Sequence, residues 1–145
     1  MAPYRHTQFG WITFAIVSAA DAIAVVAVVL AEVAWVSLII LAFTAVIFVL
    51  FGWLNVAVEA DRVRLWFGAG LVRRSWLFAD IVRAEAVRNP WYTGWGIRFL
   101  PGRTVYSVSG FEAVEIELQS GKHYRIGTDE PEALVAALAD RGVHS

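Results

Sequence analysis

VAWVSLIILAFTAVIFVLFGWLNVAV, running from Val33 to Val58, contains no charged residue. It is longer than the roughly 20 apolar residues that cover the hydrocarbon core of a bilayer. Upstream, WITFAIVSAADAIAVVAVVL (Trp11–Leu30) is broken only by Asp21, and Glu32 is the one charge between Asp21 and Glu59. Working outward from this stretch, the pattern predicts two spans, Trp11–Leu30 and Trp35–Leu54, joined by a turn at Ala31–Ala34. So short a connection makes the helices antiparallel neighbours. Trp11 and Trp53 would then mark one membrane interface and Trp35 the other. Ala20-Asp21-Ala22 has the outline of a signal-peptidase site, but the apolar stretch before it is short and the hydrophobicity continues past it, so the first span is expected to stay uncleaved.

Orientation follows from charge. Arg5 precedes the first span and Arg62, Arg64, Arg73 and Arg74 follow the second, whereas the turn carries only Glu32. The positive-inside rule places both termini in the cytoplasm. Arginine is in large excess over the single lysine, Lys122, and with the many alanines and valines this points to a bacterial protein of the inner membrane. The expected division is a cytoplasmic N-terminal segment 1–10, a transmembrane hairpin 11–54 and a cytoplasmic domain 55–143. A net charge of −1 gives no electrostatic case for nucleic acid. The absence of cysteine excludes disulfides, thiolate metal sites and cysteine nucleophiles.

Asp21 falls near mid-bilayer, where insertion scales charge an aspartate about 2.5–3.5 kcal/mol. It should therefore face a helix. With the hairpin pivoting at Glu32–Val33, the residue level with Asp21 is Thr44, and Ser18 lies one turn earlier on the same face. A hydrogen bond to Thr44 or Ser18 would glue the hairpin, or a homo-oligomer of hairpins. The functional alternative is a proton or ion relay, for which one lone carboxylate makes a poor pathway.

Beyond Leu54 the apolar residues begin to alternate. Asn55–Ala60 reads as a strand. Val63, Leu65 and Phe67 alternate with Arg62, Arg64 and Trp66, the period of a half-buried strand. Gly68-Ala69-Gly70 turns the chain into Leu71–Phe78, with the register left open. Further strands are expected at Ile81–Val87, from Gly94 and at Thr104–Val108, punctuated by Asn89-Pro90 and Pro101-Gly102. In the last hairpin, a three-residue loop Gln119-Ser120-Gly121 with Gly121 left-handed sets Ile116 opposite Tyr124 and Val114 opposite Ile126. It also sets Glu115 opposite Arg125 and Glu117 opposite His123. A terminal helix is expected with Asp129 as N-cap, Pro131 in the first turn, Glu132 at capping-box spacing and an apolar stripe Leu134, Val135, Leu138.

The runs Gly94-Trp95-Gly96-Ile97-Arg98, Tyr106-Ser107-Val108-Ser109-Gly110, Ala113-Val114-Glu115 and Arg125-Ile126-Gly127-Thr128-Asp129-Glu130-Pro131 resemble small bacterial pleckstrin-homology-like (PH-like) membrane proteins with an N-terminal two-helix transmembrane hairpin. The resemblance covers roughly residues 55–141. It implies an α+β membrane protein whose hairpin is followed by a PH-like β-barrel of about seven strands capped by a C-terminal α-helix. It carries no ligand or catalytic residue to transfer.

No phosphate loop, nucleophile elbow or zinc-protease motif is present, so the chain reads as non-enzymatic, with neither cofactor nor metal. His123 reads as a surface strand residue paired with Glu117. Charge is uneven: from Asp61 to Arg103 eight arginines face three acids, and from Thr104 onward seven acids face three bases. Arg62, Arg64, Arg73 and Arg74 are the candidates to face an anionic leaflet, where each basic residue gains about 1 kcal/mol. As a plain structural reading they only enforce topology. Trp91, Tyr92 and Trp95 are candidate contact aromatics, with barrel plugs as the commoner role. The expected function is a membrane-anchored adaptor that presents its domain to a protein partner at the bilayer. The alternatives are an anionic-phospholipid sensor or envelope-homeostasis factor, and a small transport or proton-conducting subunit using Asp21.

Overall fold

The computed structural model describes residues 3–144. The uncharged stretch divides into a helical half and a strand half. Helix α1 spans Trp11–Leu30 and α2 spans Trp35–Phe51. At 1.5 Å per residue they are about 30 and 26 Å long, and α1 alone is both long and apolar enough to cross a membrane by those criteria. The second helix stops three residues before the expected Leu54. Gly52 closes it, with its N–H on the Phe48 carbonyl at 2.7 Å, and any Cβ at 52 would lie 2.4 Å from that oxygen. Trp53 and Leu54 are captured by strand pairing instead.

At the far tip, α1 ends in a Schellman turn. The Glu32 N–H bonds the Val29 carbonyl and the Val33 N–H bonds that of Val28, with Glu32 at φ 58° where glycine is usual. Apart from Ser37, no residue of either helix is buried.

Nine strands follow the order of two sheets among the described residues. The first contains β1 (Arg5–Phe9), β2 (Trp53–Val58), β3 (Arg62–Phe67) and β4 (Arg73–Leu77), in that order and all antiparallel. The second contains β5 (Ile81–Arg88), β6 (Gly96–Leu100), β7 (Arg103–Ser107), β8 (Glu112–Leu118) and β9 (His123–Gly127), ordered β5-β8-β9-β7-β6. Its β7–β9 pair is parallel. Helix α3 (Pro131–Ala139) packs on β5 and β8. The molecule is thus α+β, with an N-terminal helix pair, two sheets and a C-terminal helix. The expected closed barrel of about seven strands is not formed, because no ladder joins an edge of one sheet to an edge of the other.

Residues 5–9, expected to be part of a plain N-terminal segment, are a strand of the first sheet. Phe9 pairs with Trp53, and the Gly10 N–H donates to the Gly52 carbonyl at 2.7 Å. The hairpin is therefore an excursion between two neighbouring strands, rooted at both ends in one sheet. A second bracket holds it: the Ala69 N–H of the β3–β4 loop bonds the Val49 carbonyl, which the end of α2 leaves free, and the Gly68 N–H bonds the Trp53 carbonyl at the start of β2. Gly68 has φ 44° and no room for a side chain, since a Cβ there would meet the Val49 oxygen at 2.1 Å.

Between the sheets lies one core. Leu54, Val56, Val58, Val63, Leu65 and Phe67 enter from the first sheet, Tyr106, Val114, Ile116 and Ile126 from the second, and Leu134 and Leu138 from α3. Trp76 joins them with its ring 5.0 Å from Tyr124 and 6.1 Å from Tyr106. The β8–β9 register is the one read from charge and apolar matching, with Glu115 opposite Arg125 and Gly121 at φ 78°. The N-cap of α3 is Glu130, not Asp129. Thr128 Oγ1 accepts from the Glu130 N–H at 3.1 Å, while Asp129 is drawn away to His6 on β1 at 2.5 Å.

Candidate functional site

Three places carry the residues singled out by sequence, and the structure sorts them. Inside the hairpin, Thr44 Oγ1 donates to Asp21 Oδ1 at 3.1 Å. Ser18 is not Asp21's partner.

The four arginines expected to face a leaflet do not form one group. Strand β2 runs away from the hairpin and β3 returns, so Arg62 lies at the far end of β3, about 17 Å along the strand from Phe67. It is held by Asp61 through two bonds of 2.9 and 2.7 Å, and Arg64 is held by Glu59 at 3.0 Å. Arg73 and Arg74 follow the loop that caps α2, are exposed, and have no acidic partner among the described residues. Arg73 pairs across to Trp66, whereas Arg74 pairs to Leu65 and so has the opposite parity. Trp66 is flanked by two cations, Arg5 at 5.3 Å and Arg64 at 5.7 Å from its ring. Arg5 reaches it because the residue between the arginines is the small Ala57. Leu71, next to the capping loop, is 70% exposed.

The third place is the loop before β6. Its ends are fixed. Asn89, buried, takes a bond from Arg125 Nη1 at 3.0 Å and donates its N–H to the Phe111 carbonyl. Trp95 is tied by Nε1–H to the Gly110 carbonyl at 2.9 Å and packs against Phe111. Between these anchors Trp91 and Tyr92 project, 80% and 74% exposed, their rings edge to face at 6.0 Å. Of the three aromatics only Trp95 is tucked in. Neither Trp91 nor Tyr92 plugs a barrel end.

Beside them runs β6, whose outer edge is unpaired among the described strands and which exposes Phe99 (79%) and Leu100. A cleft of about 380 Å³ between Tyr92 and Leu100 is walled by Arg88, Arg103 and Arg125. These cations lean on acids: Arg88 on Glu112 at 3.2 Å, Arg125 on Glu115 at 2.5 Å and Arg103 on Glu115 at 3.8 Å. Burial pushes the Glu115 carboxyl up, but the Arg125 hydrogen bond and charge, with Arg103 and His123, overcome it and hold the group below the usual carboxylate range. His123 therefore faces Glu115, at 3.3 Å, as well as its cross-strand neighbour Glu117.

Sequence reasoning passed over Phe99 and Leu100 as site residues, and it read Glu115 only as the cross-strand partner of Arg125. Two consecutive apolar residues running straight into Pro101-Gly102 break the alternation of a half-buried strand, and that was the available signal for β6. Among the described residues no three histidines, aspartates or glutamates converge as a metal site would require. Compared with protein-family models, with curated proteins and with solved structures, the chain matches none.

Proposed function

We propose that this chain is a non-enzymatic membrane adaptor. In this reading the helix pair is inserted in the bacterial inner membrane with both termini cytoplasmic. The two-sheet domain then offers Trp91, Tyr92, Phe99 and Leu100 to a protein partner. The observation that carries the proposal is the loop pinned at Asn89 and Trp95 that holds two aromatic side chains out in solvent beside an open sheet edge. Preorganised Trp and Tyr side chains are the residues that dominate protein interfaces. An unpaired edge accepts an extended segment by strand addition. Membrane insertion is supported by helices that are apolar on every side and, apart from each other, left largely exposed by the rest of the chain. The resemblance to PH-like membrane proteins agrees with a binding role.

The test is site-specific photocross-linking in cells from position 92 or 99, with Val82 on β5 as the remote control. Adducts from 92 and 99 that vanish in Trp91→Ala, at unchanged membrane abundance, are expected. Identical adducts from 82, or none from the patch, would sink the proposal. An adduct of twice the chain's own mass would make β6 a self-association edge.

A second reading, an anionic-lipid sensor, is favoured by one specific arrangement. The loop bonded to Val49 carries exposed Leu71, with the unpaired Arg73 and Arg74 close behind, where an inserted hairpin leaves the bilayer. Asp21, bonded to Thr44, serves the helix pair in both readings.

A further inference from the structure

We propose that the cleft at the foot of the hairpin holds one anionic phospholipid drawn from the bilayer, its phosphate on Arg98 and its apolar part along Phe51 and Trp95. The proposal rests on the hairpin being inserted, as argued above, and is independent of the β6 surface. The cleft measures about 330 Å³ and is walled by Thr13, Phe51, Phe67, Trp95, Arg98 and Val108. That is the lower range of small-molecule sites, enough for a headgroup and the first carbons of its chains. Thr13 belongs to the first turn of α1 and Phe51 is the last residue of α2, so two walls are helix ends. For an inserted hairpin, those ends mark the headgroup level. Thr13 also ties the hairpin to the second sheet, its Oγ1–H donating to the Val108 carbonyl at 3.1 Å.

Arg98 is built into this place. Its Nε donates to the Trp95 carbonyl at 3.2 Å, folding the guanidinium back over Gly94. Gly94 has φ 68° and ψ −168°, backbone open essentially to glycine alone, and a Cβ there would stand 3.3 Å from Arg98 Nη2. Gly94-Trp95-Gly96-Ile97-Arg98 is thereby explained as a cradle that fixes one cation at the cleft. The terminal nitrogens of Arg98 meet no acid among the described residues. A fork of free donors matches phosphate oxygens. The cleft near Tyr92 has more arginines, but Glu112 and Glu115 already engage them. Apolar walls at bilayer depth with a single uncompensated cation at the mouth fit a lipid better than a soluble phosphoester.

The full chain, reconstituted in nanodiscs of mixed phosphatidylglycerol and phosphatidylcholine and then released into mild detergent, is weighed by native mass spectrometry. One phosphatidylglycerol retained per chain, selected over phosphatidylcholine, is expected. Arg98→Gln should lower that retention about tenfold, as loss of charge-assisted bonds does, and Lys122→Gln should leave it intact. Arg98 is exposed, and an unchanged melting temperature will show that its variant is folded. Equal retention in Arg98→Gln, no selection between the lipids, or displacement by millimolar glycerol phosphate would each overturn the proposal. Failure of the chain to partition into nanodiscs at all would instead overturn the inserted hairpin, and this site with it.

Discussion

Phe43 and Leu54 belong to the same uncharged stretch, yet one is 67% exposed and the other 1%. Both halves of the stretch are apolar, and hydrophobicity alone does not separate them. Period does. In α2 apolar side chains occupy every side of a helix, so a single partner helix cannot cover them. In β2 the inward-facing Leu54, Val56 and Val58 lie under a second sheet while Trp53 and Ala57 face outward. The helix half leaves its apolar side chains uncovered, and the strand half buries them in a protein core. The division falls at Gly52.

Separating the two halves has the largest expected effect. A fragment beginning at Glu59 loses β1 and β2, and with them Leu54, Val56 and Val58 from the core. Each buried side chain contributes about 1.5–3 kcal/mol, and a small domain has only about 5–15 kcal/mol in total. That fragment should therefore be unfolded. Replacing residues 11–51 by Asn-Gly should instead give a folded, water-soluble domain, because the Gly10 N–H already bonds the Gly52 carbonyl as in a hairpin-closing pair. Far-ultraviolet circular dichroism and cooperative melting distinguish the two. If the Glu59 fragment folds, the hairpin is not rooted in the sheet as described.

Within the intact chain, single truncations sharpen the contrast. Leu54→Ala should destabilise the sheet domain by about 2–5 kcal/mol, the usual cost of a core leucine. Leu38→Ala, at a position 72% exposed, should leave domain unfolding unchanged. Its effect belongs to insertion, where one leucine is worth only a few tenths of a kcal/mol. Denaturant titrations followed through the β-sheet signal give both numbers on one scale.

How far this could be read from sequence depends on range. The β8–β9 register was legible because Glu115, Arg125, Ile116 and Tyr124 select one alignment among near neighbours. Thr44 was legible because counting outward from a tight pivot in two regular helices gives its level. Pairing across the whole hairpin was not legible. Residues 5–9 are short and mixed in polarity, and nothing local tells them that their partner lies beyond α1 and α2. The same reversal of direction misplaced the arginines, since Arg62 is closer to α2 in sequence than Arg73 but farther along the sheet. An open edge at β6 is likewise a property of sheet order, which no strand states by itself.

A smaller effect tests the polar face of the second sheet, away from the hairpin. Glu115 titrates below its ordinary range in the folded state, whereas in the unfolded chain it returns to about 4.3. A lowered carboxyl pKa means that its stabilisation is complete above the unfolded value and is lost as pH falls through the folded one. Melting temperature should therefore drop on acidification below about pH 4.3. Glu115→Gln should flatten that part of the profile while lowering stability at neutral pH, because Arg125, with only 13% of its side chain exposed, loses its acid. An unchanged acid slope in the variant would place the titration elsewhere.

The least effect, and the one that separates structure from mechanism in the hairpin, concerns Asp21 and Thr44. The two ends of their bond are not equivalent. Thr44→Val leaves a carboxyl without its partner in an apolar surround, and interhelical bonds of this kind average about 0.6 kcal/mol, reaching about 1.7. Asp21→Leu removes the group that is costly at bilayer depth, and the Thr44 hydroxyl left behind can bond a carbonyl one turn back in its own helix, so the exchange should be neutral or stabilising for the helix pair. Hairpin stability in bicelles should thus fall in Thr44→Val and hold or rise in Asp21→Leu. If the carboxylate only fastens two helices, Asp21→Leu should also leave cellular function untouched. Loss of function in a hairpin that remains fully stable would show that Asp21 is kept for what it does, at a cost that Thr44 only partly offsets.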